Sequence, residues 1–217
     1  MNEALLPVVN GLEFLSPPLP QEKQEKLLEA ATREFSRRSF NDASINQIIK
    51  DAGIPRGSFY MYFADKADLF RYLMSGYVDQ ILSLLEELLI REQGDIFEAL
   101  LDLFDYVQRR RNQDHLGETG AMLAILGRNA GVQRSTILEM IGPGEIMDRL
   151  GRLVNVDQLH LEREQDLRDI LAVLLAVSGP LIYNGALPCD TDGTVARAHF
   201  ENVLRILRRG MERQTKS

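Results

Sequence analysis

Apolar residues in this chain recur at spacings of three and four, with charged residues between them. From residue 21, Leu27, Leu28, Ala31 and Phe35 follow that spacing, and Ser39 continues it. The period of 3.6 places them on one stripe of an α-helix. A break follows at Ser39-Phe40-Asn41-Asp42. Ser44-Ile45-Asn46-Gln47 then has the S-x-x-Q form of a capping box, in which a serine caps a helix and a glutamine closes back on it. That helix carries Ile48, Ile49 and Ala52. It is predicted to stop at Gly53, which enters the left-handed region without steric cost. Pro55 suits the first turn of the next helix, where its missing N–H would be unpaired anyway. Asp65 is expected to cap a further helix, with Asp68 in its first turn. Residues 21–63 therefore read as helix, short helix, tight glycine turn and short helix, the grammar of a helix-turn-helix.

Beyond residue 65 the same periodicity runs through about 66–91, 95–112, 117–130, 133–153 (interrupted at Gly142-Pro143-Gly144), 162–187 and 193–213. No alternation of strand type with hairpin turns appears. The fold class expected is all-α, with no internal repeat. The expected domains are an N-terminal extension at 1–20, a helix-turn-helix domain at 21–81 and a helical domain at 82–217. The extension holds Pro7, Pro17, Pro18 and Pro20, half of the eight prolines, a spacing that prevents a long helix. It reads either as a loose tail or, given Leu5, Leu6, Val8, Val9 and Leu12, as a segment lying against the body or a partner.

Composition narrows the function classes. Cys189 is the only cysteine, so neither an intrachain disulfide nor a cysteine-cluster metal site is possible. His115, His160 and His199 lack ligand spacing. There is no glycine-rich phosphate loop, G-x-S-x-G elbow or H-E-x-x-H motif, and no cofactor or metal is expected. The longest apolar run, 170–177, is too short to span a bilayer. With Glu3 where a signal peptide would be positive, a cytoplasmic location is expected. The net charge of −7 is unusual for a nucleic-acid binder, but it is unevenly spread. Residues 21–75 hold nine Lys+Arg and eight Asp+Glu, a net +1, so the remainder carries −8. Distribution matters more than the sum.

The stretch DAGIPRGSFYMYFADKADLF, residues 51–70, concentrates the chemistry. On a helix, Phe59 and Phe63 share one face and can fill the core. Gly57 and Met61 lie on the opposite face, flanked by Arg56, Ser58, Tyr60 and Tyr62. A short helix with this division fits a major groove. Gly57 removes bulk where the backbone approaches DNA. Ser58, Tyr60 and Tyr62 can donate to phosphate oxygens, which fix register. Arg56 can fork onto a guanine edge or pair a phosphate. Lys66 and Ser44, at the starts of the flanking helices, add donors to the same backbone.

With Phe35 upstream, DASINQIIKDAGIPRGSFYMYFADKADLF resembles the DNA-binding domain of the tetracycline-repressor (TetR) family of bacterial transcriptional regulators, over about residues 21–70. The resemblance implies a homodimer that binds double-stranded DNA and represses transcription until a small molecule binds its C-terminal domain. It carries the DNA-contacting role to Ser44, Arg56, Gly57, Ser58, Tyr60, Tyr62 and Lys66. The chain departs from the pattern in placing Pro55 where the family often has Ser or Thr, and in lacking Lys and Arg in residues 1–20.

The C-terminal half is less specific. Ile170, Leu171, Val173, Leu174, Leu175 and Val177 cover nearly the full circumference of a helix, which therefore needs burial on several sides. The helix at 193–213 is broadly apolar too. Together with the helix at 162–187, it is expected to form a dimer interface, with an intramolecular core as the alternative. A small apolar effector is expected among Met74, Tyr77, Phe97, Leu101, Phe104, Met122, Leu126 and Tyr183, with Ile125 and Met140 nearby. The helix that begins at Asp65 carries both Lys66 and Met74–Tyr77, and so could link effector to DNA. A helical sensor with a degenerate helix-turn-helix, or an all-α enzyme, are the other function classes. The near-complete Arg-Gly-Ser-Phe-Tyr-x-Tyr-Phe segment disfavours the first, and the absence of a convergent catalytic set disfavours the second.

Overall fold

The computed structural model describes residues 21–113, 118–129, 143–184 and 194–212. The extension at 1–20, His115, Met140 and Cys189 lie outside them. Among the described residues the regular elements are helices: α1 Gln21–Arg37, α2 Ile45–Ala52, α3 Arg56–Tyr62, α4 Lys66–Arg91, α5 Ile96–Gln113, α6 Glu118–Arg128, α7 Pro143–Gly151, α8 Asp166–Asn184 and α9 Thr194–Met211. A short 3-10 turn at Val156–Gln158 and one isolated bridge between Leu159 and Glu212 complete them. No helix among the described residues is long and apolar enough to cross a membrane. The fold is all-α, as the periodicity implied.

Most helix ends obey local chemistry. Ser39 does not continue α1. Its hydroxyl donates to Asp42 at 2.6 Å and its carbonyl takes the N–H groups of Asp42 and Ala43, which turns the chain out of the helix. Gly53 ends α2 at φ 64° in the left-handed region, with its N–H on the Lys50 carbonyl. A side chain there would be strained although space is open around it. At the start of α4, Asp65 accepts the Asp68 N–H at 2.8 Å while Asp68 accepts the Ala64 N–H at 3.0 Å, a reciprocal cap. Pro55 stands one residue earlier than the sequence suggests. It is the N-cap of α3, at φ −63° and ψ 141°, and its carbonyl receives the Ser58 and Phe59 N–H groups.

The chain divides into two compact units: residues 1–81 with 121–141, and residues 82–120 with 142–217. The described residues 121–129 cluster with residues 21–81. The reason is visible in α6. The Arg128 guanidinium donates to the Ser36 carbonyl at 2.7 Å, and Asn129 Oδ1 accepts the Phe40 N–H at 2.7 Å.

The first unit is built on aromatic rings. Phe35 meets Phe70 edge-on at 4.9 Å, and Phe63 lies between Phe59 and Tyr72 at 5.8 and 5.5 Å. Ring pairs in these arrangements add to simple burial. In the second unit Phe104 of α5 stacks on Phe200 of α9 at 5.0 Å, and α5 also packs on α8. Gly94, at φ 84°, is demanded by a close approach. A Cβ there would meet the Asn155 nitrogen at 2.5 Å and the Leu153 carbonyl at 2.7 Å.

Candidate nucleic-acid interface

The site starts from two buried phenylalanines. Phe59 is fully buried and Phe63 nearly so, so one side of α3 is locked into the core. Helical spacing then fixes what faces outward. Arg56, Gly57, Tyr60 and Met61 are exposed, Met61 at 63%. Ser58 and Tyr62 are half-buried at the edges of that face. The Arg56 guanidinium lies 5.7 Å from the Tyr60 ring centroid, and Tyr60 in turn meets Phe59 edge-on at 5.1 Å. A chain of contacts from the core thereby steadies the outermost cation.

Gly57 is informative because the fold does not require it. Its backbone is ordinary helix, and an added Cβ would meet nothing within 4 Å. Glycine inside a helix costs roughly 1 kcal/mol relative to alanine. A residue kept small where the protein itself has room fits a surface that another backbone approaches.

Two donors at the neighbouring helix starts were also expected at the interface. Ser44 caps α2, its Oγ accepting the Gln47 N–H at a long 3.4 Å. The other half of the capping box is replaced. The Ser44 N–H goes to Glu34 Oε1 at 2.9 Å, and Gln47 turns its amide to Asp51 at 2.7 Å. Glu34 is buried and couples α1 to the start of α2; the sequence reading missed it. Lys66 has more structural work than expected. Its ammonium donates to the carbonyls of Asn41 at 3.1 Å and Ala43 at 2.9 Å, and sits 4.9 Å from the Phe40 ring centroid. Two of its three protons are thus committed to the loop between α1 and α2, leaving one for a phosphate.

Asn129 and Arg128 were missed as well. Asn129 is buried, with its amide donating to the Ile125 carbonyl at 2.8 Å while its oxygen holds the Phe40 N–H. Nothing local in Leu126-Gly127-Arg128-Asn129 signals a partner so far back in the sequence.

The expected effector residues fall into two groups. Met74, Tyr77, Met122 and Leu126 are buried in the first unit, and the Tyr77 hydroxyl meets Thr32 Oγ1 at 3.2 Å. Phe97, Leu101, Phe104 and Tyr183 belong to the second. There Phe97 lies under the Arg208 guanidinium at 5.2 Å, and the Tyr183 carbonyl accepts from Arg111 at 2.5 Å. Among the described residues, no group of three or more His, Cys, Asp or Glu could hold a metal.

Comparison with known proteins agrees with this geometry. Residues 27–73 match the model of the family described as "Bacterial regulatory proteins, tetR family". The HTH-type transcriptional regulator YdgC of Bacillus subtilis is 41% identical over 69 residues, which cover 32% of this chain and 35% of YdgC. The chain thus matches about a third of that relative's length. Two solved structures share the fold over most of their length. The fatty acid degradation regulator FadR of Bacillus halodurans aligns with a TM-score of 0.58 at 18% identity, covering 88% of this chain and 97% of FadR. NalD of Pseudomonas aeruginosa, described as the secondary repressor of a multidrug efflux pump, aligns at 0.54 and 21% identity, covering 90% and 99%. Residues 27–73 thus carry a helix-turn-helix unit like that of the tetR family of bacterial regulatory proteins, within an all-helical fold that these solved structures share.

Proposed function

We propose that this protein is a cytoplasmic, ligand-responsive transcriptional regulator, a repressor that binds a palindromic operator as a homodimer and leaves it when a small effector binds. The single observation that carries the reading is the outer face of α3: Arg56, a glycine the fold does not need, Tyr60 and Met61, all exposed on a helix whose other side is clamped by Phe59 and Phe63. Ser44, Ser58, Tyr62 and the remaining Lys66 proton supply phosphate contacts on either side. A gel shift on the DNA upstream of the gene tests this. A shifted band that weakens steeply with salt is expected; no shift at low salt with folded protein would refute it.

The homodimer is assigned to α8 and α9, and the structure changes which residues would carry it. Leu174 is fully buried within the chain, so it serves the internal core rather than an interface. The exposed side of α8 instead presents Ala172, Val173, Ala176 and Pro180, and α9 presents Val195, Ala198 and Ile206. Two such faces pair naturally about a two-fold axis. Val173→Glu combined with Ile206→Glu is expected to yield folded monomer by light scattering. A double variant that stays dimeric would move the interface elsewhere.

The effector is assigned to the second unit, near Phe97, Leu101, Phe104 and Tyr183. Binding there would reach the DNA through α4, a 26-residue helix that begins with Lys66. A ligand shifts operator affinity only by its preference for one conformation over the other.

A further inference from the structure

Lys66 is held differently from other cations of the first unit. Lys26, Arg33, Arg38 and Arg71 each meet a carboxylate, on Glu22, Glu29, Glu34 and Asp68. Lys66 meets none among the described residues. Its ammonium rests on two neutral carbonyls, Asn41 and Ala43, and over the Phe40 ring. Neutral acceptors fix where a cation sits without cancelling its charge. The charge therefore stays available to a phosphate.

The seat of that ammonium belongs to one short loop, because Phe40, Asn41 and Ala43 all lie between α1 and α2. The loop closes on itself through Ser39, whose carbonyl takes the Asp42 and Ala43 N–H groups. The Phe40 N–H stands outside that turn. Asn129, directly after α6, takes it on Oδ1 at 2.7 Å. Asn129 is buried, and its amide donates to the Ile125 carbonyl at 2.8 Å. Its oxygen cannot swing away without breaking a second buried bond. Beside it, Arg128 donates to the Ser36 carbonyl at 2.7 Å. The end of α6 thus grips the chain at Ser36 and Phe40, just before the carbonyls that hold Lys66.

Phe40 is the shared member of both contacts. Its N–H goes to Asn129, while its half-buried ring lies 4.9 Å from the Lys66 ammonium and 5.1 Å from the Phe70 ring. A shift of Phe40 therefore moves the ring and the two carbonyls together.

We infer that Asn129 is a positioning residue for DNA binding, which acts through Phe40 to hold the Lys66 ammonium ready for a phosphate. A long side chain fixed in one rotamer before its partner arrives loses little freedom on binding. With Asn129 removed, Lys66 keeps its charge but loses that fixed seat. Phosphate contacts set register and carry no sequence information, so Asn129 governs affinity and not sequence preference. The inference rests on the reading that the first unit binds DNA with Lys66 on a phosphate.

The test is a double-mutant cycle by fluorescence anisotropy on the full chain: parent, Lys66→Ala, Asn129→Ala and the double variant. Each is titrated over a range of salt against a duplex selected by the parent from random DNA and against a scrambled duplex. Lys66→Ala is expected to weaken both duplexes about tenfold and to lower the salt slope by about one unit. Asn129→Ala should weaken both by the same factor, about three- to tenfold, and leave their ratio unchanged. The double variant should be no weaker than Lys66→Ala to within about twofold, because residues acting through one contact are not additive. Phe40→Leu keeps the N–H that Asn129 holds and removes only the ring, so it tests the same seat should Asn129→Ala not fold. It should weaken both duplexes about two- to fivefold, again without adding to Lys66→Ala. Losses that add to those of Lys66→Ala, a changed ratio between the duplexes, or unchanged affinity in Asn129→Ala would each overturn the positioning role and leave the DNA-binding reading intact. A parent that binds neither duplex would overturn both.

Discussion

The two units of this chain spend their polar groups differently. In the first, side chains are directed to backbone at helix ends and in the loop between α1 and α2: Glu34 to the Ser44 N–H, Lys66 to the Asn41 and Ala43 carbonyls, Arg128 to the Ser36 carbonyl and Asn129 to the Phe40 N–H. Each such bond removes a backbone group's alternative partners and fixes where a helix begins or ends. In the second unit the named polar contacts are mostly arginine–carboxylate pairs such as Arg149–Glu86 and Arg197–Asp105. A unit that must present α3 in one orientation benefits from rigid ends.

The contrast can be broken experimentally. Asn129→Ala removes one of the buried clamps, leaving the Phe40 N–H without its partner, and is expected to cost about 1–3 kcal/mol. Chemical denaturation followed by circular dichroism should show the loss, accompanied by weaker operator binding because Asn129 clusters with α3 in the first unit. Stability unchanged in Asn129→Ala would show that the clamp contributes nothing.

Arg149→Gln probes the second unit's style of stabilisation. Its bidentate pair with Glu86, at 2.8 and 3.0 Å, is about three-quarters buried. The hydrogen bond from Arg149 holds the Glu86 carboxyl below its ordinary range, against the opposing pull of burial. A carboxylate with a lowered folded-state pKa stabilises the protein above its unfolded value, about 4.3, and the contribution disappears as pH falls through the folded-state value. Arg149→Gln is therefore expected to be less stable than the parent at pH 7 by up to about 1 kcal/mol. The gap should narrow and close as the pH is taken below about 4. A pH-independent gap would assign the loss to packing instead.

Gly57→Ala sharpens the comparison from the other side, with the smallest energy and the opposite sign. The Cβ finds open space, so melting should rise by the equivalent of roughly 0.5–1 kcal/mol. Operator affinity should fall at the same time. A variant more stable and equally tight on DNA would remove the reason offered for this glycine.

The same contrast explains which features were legible in the sequence. The α3 motif, the Gly53 stop, the Asp65–Asp68 cap and the packing of Phe59 against Phe63 depend on residues within a turn or two of each other, and spacing alone carries them. Glu34, Arg128 and Asn129 were not legible, because their partners lie on other elements and a buried hydrogen bond leaves no period behind. Pro55 was displaced by one position because a proline serves equally at the N-cap and in the first turn. Lys66 reads as a phosphate ligand from its place at a helix start, while the nearby carbonyls that claim two of its protons come from the fold of the preceding loop. Leu174 reads as an interface residue because α8 is apolar on most sides, and periodicity cannot say which apolar side meets its own chain.

The central claim is that the outer face of α3 reads DNA, and a fluorescence-anisotropy titration of Arg56→Ala against the parent tests it most directly. The target is a labelled duplex selected from random DNA by the parent protein, titrated at several salt concentrations. The parent is expected to lose affinity linearly in log–log form as salt rises. Arg56→Ala should bind this duplex about ten- to a hundredfold more weakly, the scale of 1–3 kcal/mol for one arginine at a base edge, with an unchanged melting temperature because the guanidinium is exposed. Equal affinity of Arg56→Ala and parent at every salt concentration would contradict the assignment of α3 to the groove.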